Sequence, residues 1–391
     1  MVVTGSRAPG WALRGMTIGL VAVWLIVSGG CETVGYYSQA FFGQVAVLSK
    51  RQPVAAVVAE LEQAEDIDPQ RLGVLAGLRA SQKILSFAEV ELGMNAGKRY
   101  RTYVELDDAQ VVWNVFAAPE FDLEPRRWCY PVVGCAPYRG YFDEARAGQY
   151  ANKLEGQGFD VYVGGVSAYS TLGWFEDPLL SSFIDWPEAD LAELLIHELA
   201  HGQVWVKGDV EFNEAFATFV GRRGAAQWIE QRHGSDGIAA YMKRRKEWAS
   251  MAGVLEDTRS ALHRLYQSNL EDTVKRSEKQ TVLQRATTCY ERNAAVLGGG
   301  RFDSLISRLN NAYLVSLATY QDNVGAFARM YSLQGEDWRD FYKAVSELGR
   351  LPLDARTDRL TALGEEHVAH RRDDQRADQI QCEPLLGHGL D

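Results

Sequence analysis

The sequence predicts an α+β chain that is predominantly α-helical, with a small mixed sheet placed just before a pair of helices that carries its most distinctive motif. Three observations predict it. Apolar residues recur at helical spacing through most of 34–93 and again after about residue 188. Between them, residues 99–178 change to short β-branched and aromatic runs interrupted by Pro119, Pro125, Pro131 and Pro137. Finally, Leu191-Ala-Glu-Leu-Leu-Ile-His197-Glu198-Leu-Ala-His201 sets an H-E-x-x-H pattern on a helical stripe of Leu191, Leu194, Leu195 and Leu199. A hydrophobic share of 46% and an aromatic share of 11% belong to a folded globular chain. The length of 391 residues allows two or three domains, or one large one. A net charge of −11 argues against nucleic acid as a partner.

Residues 1–30 read as an export signal: Arg7 and Arg14 supply a positive start, Met16 to Val27 an apolar run, and Ser28, Gly29 and Gly30 a small-residue stretch. Cys31 follows. Ser-Gly-Gly-Cys resembles the lipobox of bacterial lipoproteins, with Ser28 where Leu is usual. The resemblance implies cleavage before Cys31, lipidation of its thiol and a lipid membrane as partner. Glu32 after the Cys implies, by the usual sorting pattern, a lipoprotein of the outer membrane of a Gram-negative cell, facing the periplasm.

Residues 31–93 form an N-terminal helical region punctuated by Pro53 and Pro69 and ended by Gly93. Residues 94–232 combine the sheet with the metal helices. Strands are expected at Tyr103-Val104, Val111 to Phe116 and Asp160 to Gly165. Cys129 and Cys135, with no His nearby, suit a small-loop disulfide in an oxidising compartment rather than a metal site, and Cys289 with Cys382 can form a second pair. Residues 233–360 form a C-terminal helical region: two helices within Ile238 to Asn293, a break at Gly298-Gly299-Gly300, then Phe302 to Leu317, Tyr320 to Leu333 and Trp338 to Leu348. Pro352 is expected to close the fold, and the polar composition of 361–391 predicts a disordered tail.

On a helix, residues four apart stack on one face, so His197 and His201 can reach one tetrahedral Zn²⁺. Asp185, Pro187 and Glu188 provide a start signal and Gly202 a stop. Glu198 is placed to act as general base on an activated water. A third ligand must come from Asp209, Glu211 or Glu214, because the His that a metzincin carries six residues after the second His is here Lys207. Periodicity favours Glu214: Phe212, Phe216 and Phe219 make one apolar stripe, leaving Glu214, Thr218 and Gly221 on another, small and polar face. One zinc per chain is expected.

H-E-L-A-H followed by Asn213-Glu214-Ala-Phe-Ala resembles the gluzincin peptidases, notably the membrane alanyl aminopeptidase type, in which the Glu of N-E-x-F-A is the third zinc ligand. The spacer is shorter here, only Gly202 to Asn213. More of the chain, from about residue 31 to about 350, resembles the bacterial lipoproteins called putative aminopeptidases. The matching segments are Trp113 to Pro119, Trp128 to Cys135, Tyr138 to Tyr141, Ala168 to Trp174 and the zinc stretch. These likenesses imply a zinc peptidase, an aminopeptidase, acting on peptide at the cell envelope. Gluzincins carry an edge strand that holds extended substrate by main-chain bonds. The candidate here is Gly165 to Thr171, through Ala168, Tyr169 and Ser170. Such enzymes often add a Tyr donor to the oxyanion, and Tyr313 and Tyr320, seven residues apart on one helical face, are the candidates. The G-x-M-E-N segment that holds a substrate amine in the larger family is absent, which leaves Glu176 and Asp177 as nearby candidates. Two other readings stay open: a lipid-anchored scaffold or binding module with a structural or vestigial metal, and a peptidase of peptidoglycan cross-link peptides.

Overall fold

The computed structural model describes residues 43, 45–130, 134–167, 176–318, 323–371, 382 and 385. Cys31, Ala168, Tyr169, Ser170, Thr171 and Tyr320 lie outside the described residues. The chain divides after Lys50 into two units. In the first, residues 45–49 are helical. The second, Arg51–Asp391, carries the sheets, the long helices and the candidate site.

Helix α1 (Val54–Gln63) leads into α2 (Pro69–Val90). The start of α2 is written locally: Asp68 accepts the Arg71 N–H at 2.9 Å, and Pro69 sits where its missing N–H is not needed. Leu78, Ile84 and Leu85 are fully buried, each contributing roughly 1.5–3 kcal/mol.

Eight strands are described: β1 (Gln52–Pro53), β2 (Thr102–Val104), β3 (Val112–Pro119), β4 (Trp128–Tyr130), β5 (Gly134–Ala136), β6 (Tyr138–Tyr141), β7 (Phe159–Val166) and β8 (Leu179–Leu180). The expected single sheet is divided among three. A mixed one has the order β1-β2-β8, antiparallel then parallel, and its last strand precedes the helix that carries His197. An antiparallel one has the order β6-β3-β7, with β3 central and Trp113 opposite both Tyr141 and Gly165. In the ribbon β4-β5, Cys129 stands opposite Cys135 and is joined to it by a disulfide. Helix α3 (Glu144–Glu155) lies within the region expected to carry the sheet, where the sequence predicts no helix. Asp143 caps it, accepting the Arg146 N–H at 2.7 Å. It buries only Ala147, Ala151 and Leu154, a stripe too weakly apolar to stand out.

The remainder is helical: α4 (Glu188–Ala200), α5 (Val210–Gln267), α6 (Asp272–Arg292), α7 (Asp303–Ile306), α8 (Asn311–Ala318), α9 (Val324–Leu333), α10 (Trp338–Gly349) and α11 (Leu353–Arg371). The architecture is therefore α+β and predominantly helical. Gly234, at φ 63° and ψ −156°, breaks α5 into two arms, a conformation that glycine adopts with little strain. The first arm buries the stripe read from sequence: Phe212 and Phe216 pack on Phe327, and Phe219 on Tyr331, Trp338 and Phe341.

Three C-terminal expectations are corrected. Phe302 to Leu317 is not one helix, because Asn310 caps α8 by accepting the Tyr313 N–H at 2.8 Å. Pro352 does not close the fold; it precedes α11, and its carbonyl accepts the Arg356 N–H at 2.9 Å. Of the expected tail 361–391, residues 372–381, 383–384 and 386–391 lie outside the described residues, while α11 runs on to Arg371 and Glu366 in it pairs with Arg329 at 3.0 Å. Further on, Cys382 is disulfide-bonded to Cys289, and Leu385 is buried with its carbonyl accepting from Arg285 at 3.1 Å. Composition misses these anchors because they are contacts to distant parts of the chain. Among the described residues no helix is long and apolar enough to cross a membrane.

Candidate metal centre

Helix α4 begins and ends where its signals place it. Glu188 and Asp190 occupy the first turn, favourable beside the helix N-terminus. The chain leaves after His201, which still has helical φ and ψ. Leu191, Leu195, Ile196 and Leu199 are buried, which fixes the helix and turns His197, Glu198 and His201 to another side.

Helices α4 and α5 cross closely at Gly221. A Cβ there would lie 2.7 Å from the Glu193 carbonyl oxygen and 3.0 Å from His197 Cβ, so glycine is required. This approach brings Glu214, on the same face, to the histidine pair. His197 Nε2 lies 3.4 Å from one Glu214 carboxylate oxygen and His201 Nε2 lies 3.7 Å from the other. The ligand atoms of His197, His201 and Glu214 all fall within 4.8 Å of one another. Tetrahedral ligands each about 2.0–2.1 Å from zinc stand about 3.3–3.4 Å apart, so the three residues fit such an ion.

The short connection is held by named contacts. The Asn213 side chain accepts from the Val206 N–H and donates to the Val206 carbonyl, both at 2.8 Å, and is fully buried. Asp209 caps α5 through the Phe212 N–H at 3.1 Å and also accepts from buried Arg356 at 2.8 and 2.6 Å. Asp209 is thus committed elsewhere and Glu211 is exposed, so of the three candidate carboxylates Glu214 alone joins the histidines.

Charge at the trio is finely set. Burial pushes His201 down to about 4, helped by His197 beside it, which keeps the imidazole neutral and its lone pair available. Burial also works on His197, but Glu214, Glu198 and Glu193 outweigh it and raise the imidazole above its ordinary value. Burial opposes ionisation of Glu214, yet the two histidines hold its carboxyl below the ordinary value. His201 Nδ1 is buried and has no hydrogen-bond partner among the described residues.

Tyr100 is a neighbour the sequence does not announce. It is 4% exposed and adopts φ 60°, and its backbone is pinned by its own N–H to the Asp177 carbonyl at 2.7 Å and by Gln82 Nε2 to its carbonyl at 3.1 Å. Burial, with the charges of Glu198 and Asp177, pushes its phenol well above the ordinary range. The Arg99 guanidinium lies over Gly202, where a Cβ would meet Nη1 at 2.8 Å. Asp177 is buried, while Glu176 is exposed and pairs with Lys98 at 3.3 Å. Tyr313 is buried in a helical core cluster, its ring 4.1 Å from that of Tyr162 in β7, and burial pushes its phenol up to about 12. Gly165 lies on β7, one of the two edge strands of the β6-β3-β7 sheet.

A model of the family described as "Putative aminopeptidase" matches residues 35–360. No curated protein and no solved structure matches the chain.

Proposed function

Because the chain belongs to the putative aminopeptidase family, we propose that it is a zinc-dependent peptidase, an aminopeptidase that hydrolyses peptide bonds at the cell envelope. The observation that carries this is the trio His197, His201 and Glu214 with Glu198 beside it on α4. Among the described residues three protein ligands gather here, the number that leaves a fourth position open, as catalytic sites require; a structural site would be closed by a fourth residue. Zinc held there would polarise the scissile carbonyl and acidify a water. Glu198 takes the proton of the attacking water and passes it to the leaving amine. His197 and His201 supply neutral donors, and Glu214 supplies the carboxylate that offsets part of the ion's charge. Cys31, once lipidated, anchors the chain at the periplasmic face of a membrane.

The purified full chain should carry about one zinc, and Glu198→Gln should keep it while kcat falls by roughly 10²-fold or more. Free-amine and N-blocked peptides distinguish aminopeptidase from endopeptidase. Equal turnover of a broad peptide library by wild type and Glu198→Gln would return the chain to the scaffold reading. For location, mass spectrometry of membrane-extracted protein should find an acylated Cys31 as the first residue; an unmodified thiol there, or an intact Met1, ends the lipoprotein reading.

A further inference from the structure

Among the described residues, one large aromatic stands out against the buried ones around the centre. Trp205 lies in the connection between α4 and α5, four residues after His201. Its ring centroid is 5.6 Å from that of His201, edge to face at 75°, and the residue is 42% exposed. By contrast Phe212, Phe216, Phe219 and Trp228 on the adjoining helix are all buried. Scattered exposed aromatics are ordinary on protein surfaces. Trp205 differs in that the backbone around it is immobilised. Val204 is buried, and both backbone polar groups of Val206 are held by Asn213 at 2.8 Å. The Val206 side chain also fills the space beside Gly349, where a Cβ would meet it at 2.8 Å. Neighbours on both sides are fixed inward, so Trp205 is presented outward at a fixed place against a metal-centre imidazole. A rigid indole offers a large contact area at little entropic cost.

We propose that Trp205 forms one wall of a substrate subsite beside the metal centre, taking a bulky apolar or aromatic side chain adjacent to the reacting bond. That the side chain belongs to a peptide rests on the peptidase reading; that an apolar group is taken does not.

Amino-acid hydroxamates separate the two, because the hydroxamate binds the metal and the side chain reports the subsite. With the zinc-loaded full chain, calorimetry should show phenylalanine hydroxamate binding about tenfold or more tighter than glycine hydroxamate. Trp205→Ala should bring that ratio to within about twofold, with zinc content and glycine hydroxamate affinity unchanged, and Trp205→Phe should restore most of it. Trp205→Gln, smaller than the indole and polar, serves as a second variant should the alanine variant fold poorly. Equal affinity of wild type for the two hydroxamates, or a ratio that survives in a zinc-loaded Ala or Gln variant, overturns the subsite. Absence of peptide turnover in wild type with the side-chain preference intact would overturn the peptidase reading and leave the subsite standing.

Discussion

Two of the buried or partly buried polar clusters among the described residues are built in opposite ways. At the junction of the β6-β3-β7 sheet with the helices, Lys279, Asp160 and Asn311 each have close hydrogen-bond partners. Lys279, 4% exposed, donates to Asp160 at 2.7 Å and to the Glu120 carbonyl at 2.9 Å. Asp160 also accepts the Asn311 N–H at 2.9 Å. The Asn311 amide donates to the carbonyls of Pro119, Glu120 and Asp122 and accepts from Tyr266 at 2.8 Å. At the trio, the histidine–carboxylate distances are 3.4 and 3.7 Å, beyond ordinary hydrogen bonds, and His201 Nδ1 lacks a partner among the described residues. Buried polar groups are normally paired because leaving them unpaired costs about 1–3 kcal/mol each. A partly buried set whose ligand atoms stand at distances that could hold an ion is an exception of the kind that points to function.

The contrast can be broken by exchanging the damage. Lys279→Met strips Asp160 of its cation and should cost about 3–5 kcal/mol of stability by denaturant unfolding, the scale for one partner lost from a buried pair. Zinc per folded chain should stay unchanged. His201→Ala should do the reverse, abolishing zinc while the metal-free protein keeps its unfolding free energy to within about 1 kcal/mol. If Lys279→Met loses zinc at full folding, or metal-free His201→Ala unfolds as readily as Lys279→Met, the two clusters do not divide into structural and functional.

A smaller effect sharpens the comparison from the side of geometry. Gly221→Ala places a methyl 2.7 Å from the Glu193 carbonyl oxygen and 3.0 Å from His197 Cβ, so α4 and α5 must part by a few tenths of an ångström. Zinc affinity, measured by chelator competition, should fall about 10–100-fold, as for other residues that orient metal ligands. An unchanged affinity would mean that the helix crossing does not set the ligand spacing.

The same contrast explains what could be read in the sequence. The trio spans 18 positions on two consecutive helices, so helical period alone places His197, His201 and Glu214 on facing sides. The sheet–helix junction draws on residues from 119 to 311, and nothing local marks Lys279 as buried or Asn311 as its neighbour. Helix α3 and the extension of α11 were illegible for a related reason: weak stripes become helices because something else packs on them, as Arg329 does on Glu366. Tyr100 escaped because its place is fixed by a left-handed backbone and by a bond to Asp177, far along the chain. Trp205 left one trace, an aromatic four residues past the second histidine, but exposure cannot be read from spacing.

The smallest expected effect concerns protons, and its sign follows from the trio alone. In the metal-free chain the His197 imidazole is raised above its ordinary value and the Glu214 carboxyl lowered, so each favours the other's charge. A raised histidine stabilises the fold below its unfolded value of about 6.5 and loses that contribution as pH climbs through the folded value. A lowered carboxyl contributes above its unfolded value of about 4.3 and loses it as pH falls. The His197–Glu214 contact should therefore support the metal-free fold most between roughly pH 4.5 and 6.5 and fade towards pH 8. His201, already neutral above about 4, holds no proton to lose in that window. Zinc loading requires His197 to give up its proton, so uptake near pH 6.5 should release up to about one proton, counted by calorimetry in buffers of different ionisation enthalpy, and affinity should rise with pH. Since His197→Ala removes the metal site along with the proton, the control is Glu214→Gln measured without metal. Its stability should no longer fall between pH 6 and 8 as the wild type does; if both slopes stay the same, the pH response lies outside the trio.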